Sequence, residues 1–321
     1  EGIKYINFLK NIRENIGQTN LLKNKFKTIN DSNYIRHISE LKDGRLISCS
    51  NNCTVKIYKR DTFELQLTIK EHSNNVRYFS QISNGKVVTC SDDYTINIIR
   101  LINEDKYEKE QTLKGHTGKV RQLIEFKENE LISVSRDNTL RKWEIKKENK
   151  FECTKTITFQ NNGGRCNILK INENEFVVSS DSDNCLKFYN SDYTNIATIN
   201  NNINVQYASR ALCIIDDDIL CVGGTNGFYL IEISNHQVIK NITGPKVVYS
   251  IYKCFDGLLL CSTTNENGNC ALTKYKYENQ NMNKIVEKEK IHVGNIFACY
   301  ETNDGIVACG GDDKTISLWS N

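Results

Sequence analysis

One short pattern recurs seven times along the 321 residues, and that recurrence limits the possible folds more than any single motif does. Ser48–Tyr58, Thr89–Ile99 and Ser133–Trp143 each read as a strand of small and apolar residues, a tight polar turn, and a second strand alternating apolar with polar. The unit returns at Ser179–Tyr189, Val222–Glu232 and Cys309–Trp319, and a looser copy ends at Tyr275. Taking the second acidic or amide residue of each turn as a marker gives Asn52, Asp93, Asp137, Asp183, Asn226, Asn269 and Asp313, spaced by 41, 44, 46, 43, 43 and 44 residues. The sixth unit is the least regular, with an insertion between Thr263 and Asn269. A period this long, filled with short strands, predicts an all-β ring of seven four-stranded blades.

The residues also carry a family likeness. Gly115-His116 followed by Ser135, Asp137 and Trp143 resembles the His-Ser-Asp-Trp tetrad of WD-repeat β-propellers. His72 with Asp93, and His292 with Asp313 and Trp319, repeat parts of it. The resemblance implies a hydrogen-bond chain that ties the loop before a blade to its inner turn and third strand. It covers about residues 25 to 320 and implies the fold rather than the function, because propellers host many unrelated roles.

The ends of the chain fit a ring. The last unit stops at the Trp319 strand, so Phe26–Ile29 is expected to supply the missing outer strand and close the propeller. Upstream, Ile3, Tyr5, Ile6, Leu9, Ile12, Ile16 and Leu21 recur at helical spacing. The expected organisation is a helical extension over 1–24 and a seven-bladed propeller over 25–321. The helix either packs on the propeller or ends a longer helical region that gives a parent chain its oligomeric state. The first residue, Glu1, and the lone methionine, Met282, suit a piece of something longer.

Composition removes several function classes. A net charge of +3 argues against a surface built to hold nucleic acid, and no stretch approaches the length of a membrane span. Thirteen cysteines, an odd number without Cys-x-x-Cys pairs, argue against a disulfide framework or zinc site. They are expected as buried packing residues in a cytoplasmic or nuclear protein. Gly163-Gly164 and Gly223-Gly224 do not form phosphate loops, and the five histidines sit at repeat positions rather than at ligand spacing. With neither nucleophile and base nor metal cluster, the expectation is a non-enzyme without cofactor.

One feature exceeds what a ring requires. Sixteen residues before the marker lie Arg36, Arg77, Arg121, Arg210 and, in the last unit, Phe297. The fourth unit offers Arg165 at an offset of 18, the sixth offers Tyr249, and Arg136 adds a positive charge in the third turn. The chain holds only eleven Arg, so this register is not a product of abundance. Like charges about 10 Å apart around a channel mouth repel by roughly 1 kcal/mol per pair. Either turn aspartates neutralise them, as a scaffold ornament, or they await an anion, for which the planar guanidinium fork is suited.

The pattern is similar to propellers of substrate-receptor ubiquitin ligases that read phosphorylated degrons, where Arg at such positions holds phosphate. The likeness implies that Arg36, Arg77, Arg121, Arg165 and Arg210 hold phosphate or acidic side chains while Tyr249 and Phe297 offer apolar contact. Residues 1 to 25 show no F-box helix, and the Phe-Arg-Arg-Gly signature of lipid-binding propellers is absent from the sequence. The expected function is a non-catalytic module that binds an acidic or phosphorylated peptide on its Arg-lined face. The alternative is an architectural scaffold or coat subunit that uses blade edges and the bottom face.

Overall fold

The computed structural model describes residue 22 and residues 24–146, 149–159, 164–201, 203–205, 211–265 and 267–320. β1 (Asn24–Asn30) precedes a first sheet of β2 (Ile35–Glu40), β3 (Leu46–Ser50), β4 (Val55–Tyr58) and β5 (Leu65–Ile69). The second comprises β6 (Val76–Gln81), β7 (Val87–Ser91), β8 (Ile96–Leu101) and β9 (Tyr107–Leu113). The third comprises β10 (Val120–Lys127), β11 (Glu130–Ser135), β12 (Thr139–Ile145) and β13 (Phe151–Thr158). The fourth comprises β14 (Cys166–Asn172), β15 (Glu175–Ser180), β16 (Cys185–Asn190) and β17 (Asn195–Ile199). Then follow β18 (Leu212–Asp216), β19 (Ile219–Glu232), β20 (Gln237–Lys253), β21 (Leu259–Thr264), β22 (Cys270–Glu278) and β23 (Asn281–Glu289). β24 (Ile296–Glu301), β25 (Val307–Gly311) and β26 (Thr315–Ser320) end the chain.

Each four-stranded sheet presents both faces to its neighbours, so its middle strands cannot alternate between core and water. β3, β7 and β25 are accordingly buried at every position, with Cys49, Cys90 and Cys309 filling equivalent places. The core lies between the sheets: Val120 and Leu123 of β10 pack on Val88, Cys90 and Ile96 of the sheet before. At the closing seam Ile35 and Ile38 meet Ala298, Ala308 and Ile316. β1 pairs antiparallel with β26, giving the order β1-β26-β25-β24, so the N-terminal strand supplies the last sheet's outer strand as expected. All thirteen cysteines are free and eleven are buried, in keeping with packing.

The expectation of seven blades is corrected: the described residues form six sheets, because the fifth and sixth units fuse into the single six-stranded order β18-β19-β20-β21-β22-β23. β20 is 17 residues long and pairs with β19 along one part and with β21 along another. β19 likewise runs 14 residues through the place where other units turn. Gly227 permits this: it sits at φ +130°, and a Cβ there would lie 2.0 Å from the Ile242 carbonyl oxygen. Neither fused unit has a His before it or an Asp marker. The expected N-terminal helix is also not part of the observed architecture. Among the described residues there is no α-helix, and residues 1–21, which carry the helical pattern, lie outside them.

A second set of links joins neighbouring units at the far end of the inner strands. The side chains of Glu40, Gln81, Glu125 and Glu301, each four residues after the Arg or Phe of the register, accept hydrogen bonds from the backbone N–H of Asn303, Lys42, Ser83 and Phe255 in the preceding unit. The Glu301 carboxylate also takes the buried Lys274 ammonium at 2.9 Å. A Cβ on Gly311 would lie 1.9 Å from the Asn295 carbonyl oxygen, a backbone atom that cannot step aside. Gly311→Ala is therefore expected to cost about 1–3 kcal/mol by overpacking, lowering the melting temperature by several degrees. A circular-dichroism melt indistinguishable from wild type would refute this account of the seam.

Candidate anion-binding face

The face that carries the inner turns is organised by one repeated tie. In the third unit His116 Nδ1 lies 2.8 Å from Asp137 Oδ2, His116 Nε2 lies 2.7 Å from Ser133 Oγ, and the Trp143 indole N–H donates to Ser133 Oγ at 2.8 Å. The tetrad serine is thus Ser133, and the assignment of Ser135 is corrected. Both face the same way on β11, but Ser135 sits at the turn, where its hydroxyl donates to Gly118 O and accepts from the Asp137 N–H. The same tie joins His72, Asp93 and Thr89, and His292, Asp313 and Cys309. In the first unit the partners are exchanged. Asp31 stands where the others have His, and Asn52 Nδ2 donates to its Oδ1 at 2.5 Å. Lys56 also pairs with Asp31, at 2.9 Å.

Burial alone would raise the Asp137 carboxyl, but its hydrogen bonds to His116 and Thr139 and the His116 charge hold it well below the usual carboxylate range. Asp93 and Asp313 are lowered in the same way. Burial pushes the His116 imidazole below its ordinary value despite the opposing pull of Asp137.

The tie fixes the turn; a bulge aims the Arg. Strand pairing passes from Ile35↔Ser50 to His37↔Cys49, from Val76↔Ser91 to Tyr78↔Cys90, and from Val120↔Ser135 to Gln122↔Val134. The residue passed over each time is Arg36, Arg77 or Arg121. The same skip leaves out Tyr249 in β20 and Phe297 in β24. A bulge redirects one side chain out of the sheet's alternation, which is why these five share a position. Arg165 does not share it. The fourth unit pairs Cys166↔Ser180 and Asn167↔Ser179 without a skip, and Arg165 precedes the strand. Its guanidinium lies 3.9 Å from Asp181. Arg210 lies outside the described residues.

The structure draws the bulged residues into one chain of contacts. Tyr249 and Phe297 meet edge to face at 6.0 Å, and the Arg36 guanidinium lies over the Phe297 ring at 4.4 Å. Arg36 Nε donates to Asn51 Oδ1 at 2.8 Å, and Arg77 Nη1 reaches the same oxygen at 3.5 Å. Arg77 Nε donates to Asp92 Oδ1 at 2.8 Å, and its Nη2 pairs with Oδ2. Asp92 Oδ1 is also 4.0 Å from Arg121 Nη1, and Asp92 Oδ2 is 3.6 Å from Lys119 Nζ. Three cations therefore converge on one buried carboxylate. Burial first, and the Arg77 charge second, depress the pKa of the Arg121 guanidinium, the signature of a charge short of compensation. The scaffold alternative expected turn aspartates such as Asp92 and Asp137 to neutralise the Arg side chains, and Asp92 does take Arg77; Asn51 as an acceptor and Lys119 as a member were missed, although the constant offset of 15 from Arg to acceptor was the available signal.

Cys254, Asp256 and Glu301 bring possible metal donors within 4.8 Å of one another, but the Lys274 ammonium already lies 2.9 Å from Glu301 and 3.7 Å from Asp256. Burial pushes the Cys166 thiol, beside the Arg121 charge, up to about 12.

Comparison with known proteins agrees with this geometry. The family described as "WD domain, G-beta repeat" matches residues 63–100, 107–144 and 288–320, the three segments that hold the His–Asp ties. No curated protein matches the sequence. Among solved structures, the WD40 β-propeller domain of Doa1 superposes with a TM-score of 0.74 over 92% of this chain and 96% of that one, at 18% identity. At that identity the likeness shows the fold alone.

The depressed His116 pKa sets a sign for stability against pH. The unfolded chain takes up this proton near pH 6.5, while the folded ring resists it. The contribution is full above that value and is lost as pH falls through the lower folded value. The melting temperature is expected to fall between pH 7 and pH 5, and His116→Gln is expected to flatten that fall. An equally steep profile in the variant would show that the tie does not set it.

Proposed function

We propose that this β-propeller, with WD repeats at 63–100, 107–144 and 288–320, is a non-catalytic interaction module whose Arg-lined face binds an acidic or phosphorylated peptide. The observation that carries this reading is the convergence of Arg77, Arg121 and Lys119 on the buried carboxylate of Asp92. A ladder built only for the scaffold would give each guanidinium a close acceptor, as Arg36 has Asn51 and Arg77 has Asp92. Arg121 is short of one, its side chain is 15% exposed, and its planar edge suits two parallel bonds to carboxylate or phosphate. The aromatic pair Tyr249 and Phe297, half-buried across Arg36, gives a neighbouring apolar residue of the peptide a surface to lie on. The free, largely buried thiols fit a cytoplasmic or nuclear setting, where such peptides are presented.

The test uses the full chain and fluorescent peptide pools of degenerate sequence around one fixed position: phosphothreonine, Glu or Thr. Binding of the anionic pools is expected to exceed that of the Thr pool and to weaken with salt. Arg121→Ala is expected to weaken it at least tenfold, since a hydrogen bond to a charged group contributes about 1.5–3 kcal/mol. Arg121→Ala is the cleaner variant, because Arg77→Ala would also strand buried Asp92. Equal binding of all pools, or binding indifferent to Arg121, would favour the architectural reading, in which the pairing of Arg77 with Asp92 serves the scaffold only.

A further inference from the structure

In the third unit one guanidinium has no acid to meet. Arg141 of β12 has, among the described residues, the Cys153 thiol as its acceptor and no carboxylate. Its Nη1 donates to Cys153 Sγ at 3.5 Å, and its Nε is buried without an acceptor. The guanidinium lies against Gly115, where a Cβ would come within 2.7 Å of Nη1. Its charge acts on its surroundings, for it is among the causes that depress the neighbouring His116. A buried donor without a partner is costly, and a neutral thiol is only a weak acceptor.

The thiol is as unusual as the cation. Cys153 is exposed on β13, the outermost strand of the third sheet, whereas eleven of the thirteen cysteines are buried and Cys53 is half-buried. Packing therefore does not account for it. Strand pairing passes from Lys142↔Lys155 to Trp143↔Cys153, so Thr154 is left out and a bulge interrupts the alternation of β13. Beyond the bulge the Thr156 hydroxyl lies 3.6 Å from Cys153 Sγ. Exposure and an electropositive neighbour are the two conditions that separate a reactive cysteine from a packing one.

We propose that Cys153 and Arg141 form a thiol-modification site that takes small disulfides bearing carboxylates, the glutathione class. The Cys153 thiol gives up its proton, and the thiolate attacks one sulfur of the disulfide. The new S–S bond forms as the old one breaks, and the other half leaves as a thiolate with the electron pair. The disulfide is itself the oxidant, so the step needs no other. A carboxylate of the attached half then supplies the acceptor that Arg141 lacks, through charge-assisted hydrogen bonds to its planar fork. The site lies on the outer strand and is independent of the anion-binding reading of the channel face.

The test mixes the reduced full chain at neutral pH with oxidised glutathione or with the uncharged disulfide of mercaptoethanol, and locates adducts by peptide mass mapping. Cys153 is expected to be modified first, and faster by the glutathione disulfide than by the uncharged one. Arg141→Gln is expected to slow the glutathione reaction roughly fivefold and to remove that preference. Arg141→Lys, which keeps the charge without the fork, is expected to retain part of the rate. The buried thiols report on folding: should they react in Arg141→Gln, the comparison passes to Arg141→Lys and to the wild-type preference between the two disulfides. Equal rates with both disulfides in wild type would overturn the ligand class. A rate at Cys153 unchanged by Arg141→Gln would overturn the role of Arg141, and modification of Cys53 ahead of Cys153 would overturn the site.

Discussion

The structure depends on a hydrogen bond between two loops that are 21 residues apart in sequence. In three units a His before the blade meets an Asp in its inner turn, and in the first unit Asp31 meets Asn52 with the roles exchanged. Each tie buries polar groups that are costly without partners, so the approach loop has one place to lie. Where it lies determines where the inner strand begins, and so where the bulge falls. The fifth and sixth units lack the tie, and there the strands run on through the turn and the connection until two units share one sheet.

The same tie separates what is scaffold from what is available for binding. The His–Asp pair and the inner strand fix the backbone on either side of the bulge, which leaves the bulged side chain and the residue before the marker as positions that can vary without disturbing the sheet. The first unit fills them with Arg and Asn, the second with Arg and Asp, the third with two Arg, and the last with Phe and Asp. A ring of near-identical units thereby presents a face whose charge and polarity change from one unit to the next.

Much of this was legible in the sequence, for physical reasons. The strand pattern and the spacing of the markers repeat because each unit solves the same packing problem, and the offset of 16 from marker to Arg is constant because the tie and the bulge are constant. What escaped the reading depends on geometry that spacing does not encode. Ser133 and Ser135 lie on one face of β11, and only the approach of the His116 ring distinguishes them. Arg165, at an offset of 18 rather than 16, precedes β14, whose first pairs carry no bulge, and spacing alone does not show this. The fused sheet shows itself as two strands that run on past the unit boundary, which a search for recurring residues passes over. Asn52 was read as a turn marker, but its pairing with Asp31 was not, because the exchange keeps the bond while altering both letters.

The seam that closes the ring has a mechanical consequence. β1 and β26 are antiparallel, with Asn24 opposite Ser320 at one end and Asn30 opposite Thr315 at the other. The outer ends of the two strands thus leave the sheet side by side. Tension applied between them would load the seam as a zipper, opening its rungs in succession from Asn24 inward, whereas a pull along the strand axes would strain all of them together. A partner or tether that separates these ends can undo the ring with little force, while one that grips β1 along its length locks it.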